Sequence, residues 1–197
     1  MSNNKSNNYS SSTDGEYLQK VTVGKRTPHN VPIELVNYDP NWVNLFEREA
    51  KRIKTILGNK VLQLEHVGST SIPDLCAKPI IDILLVVTDS SDELSYVPAL
   101  ESVGYVLRIQ EPEWHEHRLF KGPDTDVNLH VFSKGASEID KMLRFRDWLR
   151  TNRDDREKYA KVKHTLAQNT WENIQDYADA KTEIVEEIME RANSNVM

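Results

Sequence analysis

Asp82 is the residue that asks for an explanation. It stands alone in the apolar run "PIIDILLVV", Pro79 to Val87, and a buried carboxylate costs several kcal/mol unless a cation, hydrogen bonds or a metal compensates it. Two partners fit: Lys78 as a structural ion pair, or a ligand in a cleft, with Asp82 as metal ligand or base. Just upstream, "HVGSTS" carries a Gly-Ser turn, Gly68 and Ser69, followed by Thr70 and Ser71. Such a turn can aim backbone N–H groups and hydroxyls at an anion, because glycine allows close approach and a following helix start adds a favourable dipole. It also serves simply to end a strand. A nucleophilic Ser69 or Ser71 would need an orienting base; His66 is near in sequence, but the Gly-x-Ser-x-Gly elbow is absent.

Two cations break apolar stripes in the C-terminal part. Lys181 falls on the stripe Ile174, Ala178, Val185, Ile188, and Arg146 interrupts Ile139, Met142, Leu143 and Leu149. One cation with its stem packed and its head in water would be ordinary. Two on neighbouring helices point to a shared anionic target, such as Asp82 or a bound phosphate. The histidines at 66, 115, 117, 130 and 164 lack the thiolates or His-and-carboxylate spacing of a zinc motif. Some of them are expected to line a cleft, with His115 and His117 on one face of a strand, and the rest to sit at the surface.

Composition bounds these possibilities. A chain of 197 residues with 38% hydrophobic and 28% charged residues suits one globular domain. The net charge of −6 argues against non-specific nucleic-acid binding by the whole surface. Locally the balance reverses: Lys141 to Lys163 holds nine Lys or Arg against four Asp or Glu, either an anion site or a solvated helical face. No apolar stretch approaches the ~20 residues of a membrane span. The first residues lack the apolar core of a secretory signal and the pattern of an organellar presequence, so the expected location is cytoplasmic. Cys76 is a single cysteine and forms no internal disulfide or Cys-x-x-Cys pair. Neither the P-loop nor the Gly-x-Gly-x-x-Gly motif is present.

The elements that must position these residues follow from periodicity. Residues 1–30, rich in Ser and Asn, read as a disordered extension; the domain spans 31–197. "VPIELVNY" is extended. A helix follows over 39–58, with Asp39 as cap, Pro40 in the first turn, Gly58 as terminator, and Phe46, Ala50, Ile53 and Leu57 as its buried stripe. "VLQLEHV" alternates as a strand ending at Gly68, and 69–77 is short helical or irregular. Pro79 to Val87 is a strand buried on both faces. A helix over 91–104, with Leu94, Val97, Leu100 and Val103 inward, precedes strands "YVLRI", "EHRLFK" and "VNLHVF". Helices near 138–150, 153–168 and 172–191 complete an α/β or α+β domain, a mixed sheet flanked by helices with a helical C-terminal part.

"ELVNYDPNW", "EHVGSTSIPDLCAKPIIDILLVV", "NLHVF", "FRDWLR", "YAKVKHTLA" and "YADAKTEIVEEIMERA", in order and spacing from Ile33 to Ala192, resemble the GrpB family. The resemblance implies a fold like the DNA polymerase beta-type nucleotidyltransferases, which hold a nucleotide triphosphate at a Gly-Ser turn and bind magnesium with acidic residues on neighbouring strands. It places Gly68 and Ser69, with Thr70 and Ser71 after them, at the phosphate turn, and Asp82 as the first metal-binding and catalytic aspartate. The pattern departs where a second acid is wanted and Leu84 stands, and where the later strand offers Asn128 and His130. Two-metal transfer relies on bridging carboxylates; here His66 and His130 are the candidate neutral ligands, with Asp82, for one Mg²⁺ or Mn²⁺. The expected cleft adds Lys78, Arg146 and Lys181 as a cationic wall. Expected function is then nucleotidyl transfer from a nucleotide triphosphate to an acceptor, or binding of that or another phosphorylated ligand. The alternative is a non-catalytic accessory or folding module, since related domains are attached to the kinase that completes coenzyme A synthesis; its partner would be a protein.

Overall fold

The structure is a computed structural model and describes residues 15–25, 32–171 and 174–194. Five strands form one mixed sheet: β1 Gln63–Val67, β2 Ile81–Val87, β3 Val106–Glu111, β4 His117–Lys121 and β5 Val127–Ser133, in the order β1-β2-β5-β4-β3. Only β2 and β5 pair in parallel; the other neighbours are antiparallel. The expected α+β class, a mixed sheet with helices outside it, is what the chain forms.

Register assigns every side chain to a face. Cα partners share a face in a pleated sheet, so the pairs Val67↔Asp82, Glu65↔Leu84, Asp82↔Asn128 and Leu84↔His130 gather Asp82, Asn128, His130 and Leu84 on one side. The other side carries Ile81, Ile83, Leu85, Val127, Leu129 and Val131, covered by helices α2 (Asn41–Leu57) and α3 (Val97–Ser102) in the main core. In α2 the predicted stripe holds: Ala50, Ile53 and Leu57 are buried, Asn41 N–H bonds the Asp39 carboxylate at 2.9 Å, and Gly58 closes the helix with a positive φ. Over 91–104 the expectation needs correction. A 3-10 turn, Glu93–Ser95, precedes the short α3, and Leu94 is 88% exposed.

The face bearing Asp82 is covered at one end by α4 (Ser137–Thr151). Its Ile139 meets Val67, Leu84, Val86 and Phe132 in a dry cluster. Leu84 is therefore core, and an acid at that position would be desolvated without a partner. Helices α5 (Arg153–Ala167), α6 (Ile174–Asp179) and α7 (Thr182–Ser194) pack beyond it, with Tyr159, Leu149 and Ile188 closing over Ile72 and Leu75. The single helix expected over 172–191 is two. Between them Lys181 N–H reaches back only to the Ala178 carbonyl, at 3.2 Å, a tight last turn that places Lys181 at a corner rather than mid-stripe.

Part of the expected N-terminal extension is ordered against the sheet. Helix α1 (Gly15–Val21) buries Val21, and Thr22 bridges to Ile109 on β3. Residues 1–14 and 26–31 lie outside the described residues. "VPIELVNY" is extended from Pro32, with one bridge, Val36↔Ala77.

Candidate functional site

The site is built where β1 leaves the sheet beside the start of β2. Gly68 ends β1 at φ 67 and ψ −174, a conformation almost confined to glycine. A second constraint is spatial. A Cβ on Gly68 would lie 2.3 Å from Asp82 Oδ2, so the absent side chain is what lets the turn backbone lie against the carboxylate. The turn continues as a 3-10 segment, Ser69–Ser71. Ser71 Oγ donates to the Gly68 carbonyl at 2.6 Å, and Arg150 donates twice to the Ser71 carbonyl, at 3.0 and 2.9 Å. Thr70 is buried, its hydroxyl donating to the Ile80 carbonyl at 3.1 Å. Of the four turn residues, Thr70 and Ser71 thus shape the turn, while Gly68 lies against Asp82 and Ser69 Oγ accepts from Lys163.

Asp82 has no dry ion pair. Its side chain is 27% exposed, Asn128 Nδ2 donates to Oδ1 at 2.8 Å, and His130 Nε2 stands 3.7 Å from the same oxygen, an ion-pair rather than a hydrogen-bond distance. Burial would raise its pKa, but His130, Asn128 and Lys78 outweigh burial and hold it below the usual carboxylate value. It is ionised at neutral pH.

Three lysines converge on this carboxylate and the turn. Lys163 of α5 is buried; its ammonium donates to Ser69 Oγ at 3.1 Å and to the Cys76 carbonyl. Lys78 and Lys181 lie over the buried ring of Tyr177, at 5.2 and 4.2 Å from its centroid. Burial lowers all three pKa values. Lys163 falls to about 8 and Lys181 to about 7, the latter also because Lys78 and Lys163 stand nearby. None of the three forms an ion pair among the described residues; Asp82 is the carboxylate that acts on each of them. Besides Asp82, Asp126 acts on Lys78 and Asp179 on Lys181, so these partly desolvated amines are balanced only at a distance, without an ion pair, and could take an anionic ligand. The Tyr177 hydroxyl, beside them, is buried without a hydrogen-bond partner among the described residues.

Two expected members do not join the site. Arg146 is buried, but its guanidinium bonds Glu65 at 2.9 Å, the His66 carbonyl at 3.0 Å and Asp147 at 2.7 Å. It clamps α4 to β1, and the anion that explains its inward position is Glu65. His66 pairs across the ladder with Ile83 and so projects to the opposite face from Asp82. There its ring stacks on Phe46 and its Nε2 meets Thr70 Oγ1 at 3.1 Å; burial lowers its pKa to about 4. It is a core histidine and shares no metal position with Asp82. Nor do His115 and His117 share a strand face: His115 has a positive φ in the turn before β4.

Of the three candidate ligands, only Asp82 and His130 come together, Oδ1 of one 3.7 Å from Nε2 of the other. Among the described residues no group of three or more His, Cys, Asp or Glu is placed to hold an ion. With Leu84 in the core and Asn128 donating its amide to Asp82, a two-metal arrangement does not fit. One ion between these two donors would require them to move slightly closer, since donors about 2.1 Å from a common ion stand roughly 3 to 3.6 Å apart and these stand 3.7 Å apart. Sequence reasoning missed Lys163. Its signal was present: Asp155, Tyr159 and Lys163 recur every fourth residue as the buried edge of α5.

The sequence model of a family described as GrpB protein matches residues 32–191. A protein of Halalkalibacterium halodurans named UPF0157 protein BH1888 is 69% identical over 189 residues, 96% of each chain. A crystal structure of the conserved protein GrpB from Enterococcus faecalis superposes with a TM-score of 0.72 at 32% identity, covering 81% of this chain and 96% of that one. A dephospho-CoA kinase of Mycolicibacterium paratuberculosis is 30% identical over 178 residues, which cover 76% of this chain and 43% of the kinase. Among the described residues no helix is long and apolar enough to cross a membrane.

Proposed function

The chain belongs to the GrpB family, and we propose that its cleft binds a nucleotide triphosphate or a similarly polyanionic phosphorylated ligand. The observation that carries this reading is the convergence of Lys78, Lys163 and Lys181, none of them in an ion pair among the described residues, beside the Gly68–Ser69 turn. Each charge-assisted contact to a phosphate oxygen contributes roughly 1.5 to 3 kcal/mol, so three suffice for useful affinity. Lys163 bridges the Ser69 hydroxyl to the following loop and so holds the turn in the shape a phosphate would meet. Tyr177 separates Lys78 from Lys181, which spaces their charges along an extended anion.

Asp82 and His130 are the residues that would hold one divalent cation, Mg²⁺ or Mn²⁺. Such an ion would neutralise charge on the phosphates as it develops. The finer reading is nucleotidyl transfer, in which an acceptor attacks the α-phosphorus and pyrophosphate leaves. In it the lysines stabilise the leaving pyrophosphate and Asp82 orients the reacting phosphate. A second reading, a non-catalytic module, draws on the dephospho-CoA kinase relative, of which this chain matches less than half, and on Leu84 in place of a second acid.

Thermal-shift titration with each nucleotide triphosphate, with and without Mg²⁺ or Mn²⁺, tests the proposal on wild type and Asp82→Ala. A ligand at a hundredfold excess over Kd stabilises by about 2.7 kcal/mol. Metal-dependent stabilisation lost in the variant, together with pyrophosphate release, supports transfer. Metal-independent stabilisation without turnover supports the binding module. Absence of any shift with every nucleotide and with inorganic triphosphate refutes the proposal.

A further inference from the structure

The two edges of the sheet are finished differently. At β3 the chain covers its own edge: Thr22 bridges to Ile109, and Val23 N–H donates to the Arg108 carbonyl at 2.8 Å. At the other edge β1 pairs only with β2. Hydrogen-bond alternation shows which of its groups are left over. In β2, Ile81 N–H donates to the Asp126 carbonyl and the Val87 carbonyl accepts from Lys134, both toward β5, so the even-numbered residues of β2 turn toward β1. Their partners Gln63, Glu65 and Val67 bond inward, and Leu64 and His66 turn their backbone groups out of the sheet. The His66 carbonyl is taken by Arg146 Nη1 at 3.0 Å. Leu64 keeps an N–H and a C=O without a partner among the described residues.

This edge is also apolar. Leu62, just before β1, is 47% exposed. Between β1 and α2 lies an open groove of about 510 Å³ lined by Phe46, Ala50 and Leu64 together with the exposed Glu47, Lys51 and Lys54. An unpaired apolar edge is a template for another strand, and the strand that fits this one is β1 of a second copy. Leu64 offers one donor and one acceptor, the pair that an antiparallel two-fold exchanges between identical residues. Other positions for the axis fail. An axis at Glu65 sets two carboxylates directly opposite each other, which is destabilising, and an axis at His66 meets the Arg146 clamp. With the axis at Leu64, Gln63 of each copy instead stands opposite Glu65 of the other, an amide donor facing a carboxylate. Leu62 comes opposite His66, whose ring is stacked on Phe46 of the groove. The charges along the groove, Glu47 against Lys51 and Lys54, have both signs, so like surfaces meet without single-sign repulsion.

We infer that β1 pairs with β1 of a second copy across a two-fold axis at Leu64, joining the two sheets into one, with Leu62 of each copy seated in the β1–α2 groove of the other. The interface is isologous: each copy supplies the same knob, the same groove and the same exchanged backbone pair. Arg146, on the His66 carbonyl, ends the new ladder there, so the pairing stops short of the Gly68 turn of either copy. The pairing is independent of what the cleft binds.

The test uses the full chain at concentrations from micromolar to millimolar, read by sedimentation equilibrium and by light scattering after size exclusion. Wild type is expected to dimerise reversibly. Leu62→Asp, at an exposed position, should leave the Tm of the dilute protein unchanged and weaken association at least about 100-fold, because two leucines per dimer lose their burial. Single cysteines then read the register. Leu64→Cys is expected to cross-link to itself under mild oxidation, since hydrogen-bonded antiparallel partners lie about 5.5 Å apart between Cα atoms, within disulfide range. Leu62→Cys is not, since its two copies stand roughly 13 Å apart along the strands. Cys76, common to both variants, is buried. A chain that stays monomeric at every concentration overturns the inference, and protection of its Leu64 amide from hydrogen exchange would show that a segment of the same chain covers the edge. A dimer that survives Leu62→Asp, or that cross-links through Leu62→Cys in place of Leu64→Cys, uses another surface and overturns it as well.

Discussion

Replacing Gly68 by alanine tests the contact on which the site is built. Two costs add. The backbone at φ 67 and ψ −174 lies in a region nearly exclusive to glycine, worth about 1 to 3 kcal/mol. The new Cβ would stand 2.3 Å from Asp82 Oδ2 and 2.9 Å from both its Cβ and Cγ. The oxygen can rotate aside at the expense of the Asn128 hydrogen bond, but the Asp82 Cβ is fixed by β2, in the middle of the sheet. Overpacking of this kind costs roughly 1 to 3 kcal/mol. The expected loss is about 2 to 6 kcal/mol, which for a chain of this size lowers Tm by roughly 5 to 20 °C. Urea denaturation followed by circular dichroism measures it. Gly135→Ala is the control, since that glycine also has a positive φ but a Cβ there meets nothing within 4 Å. Its loss should reflect the backbone alone. The double variant Gly68→Ala, Asp82→Ala removes the carboxyl group that clashes and should recover about 1 to 2 kcal/mol relative to additivity. If Gly68→Ala costs no more than Gly135→Ala, or if the double variant is additive, the turn does not lie against Asp82 and the cleft as described is wrong.

Replacing Lys163 or Lys181 by methionine keeps the aliphatic volume and removes the charge; affinity for a nucleotide triphosphate should fall roughly 10- to 150-fold for each in calorimetry, and unchanged affinity in both would exclude them as phosphate contacts. The pH dependence has a definite sign. Both lysines titrate lower in the fold, at about 8 and about 7, than the ordinary 10.5, so between those values and 10.5 the unfolded chain binds more protons and stability rises with pH. Below about pH 7 the full destabilisation by both charges is present. The slope of the urea midpoint between pH 7 and about 10 should therefore flatten in Lys181→Met, and an identical slope in wild type and variant would contradict the assignment. Arg146→Ala should destabilise by roughly 1.5 to 3 kcal/mol, because Glu65 and the His66 carbonyl lose a charged donor, while ligand affinity changes less than about twofold. An affinity loss matching that of Lys163→Met would return Arg146 to the cleft.

What the sequence disclosed and what it hid follow one physical distinction. Asp82, Gly68 and Lys181 were legible because each violates the pattern around it: a charge in an apolar strand, a glycine at a strand end, a cation on an apolar stripe. Lys163 violates nothing. It sits in "YAKVKHTLA", where lysines recur and only the fourfold spacing from Asp155 through Tyr159 marks the buried one. Arg146 did break its stripe, yet the breach identifies only an inward cation and not its partner. That partner, Glu65, is fixed by how β1 lies under α4, a long-range fact with no local trace. His66 failed for a different reason. Four residues of alternation establish that His66 and Val67 face opposite ways, but which of them shares the face of Asp82 depends on the antiparallel register Val67↔Asp82. A one-residue slip would have exchanged them. The hydrogen-bonded line Glu111, His117, His130 is the extreme case, because its members become neighbours only through two ladders, β3 with β4 and β4 with β5. Local violations thus nominate residues, and register decides which of them can act together.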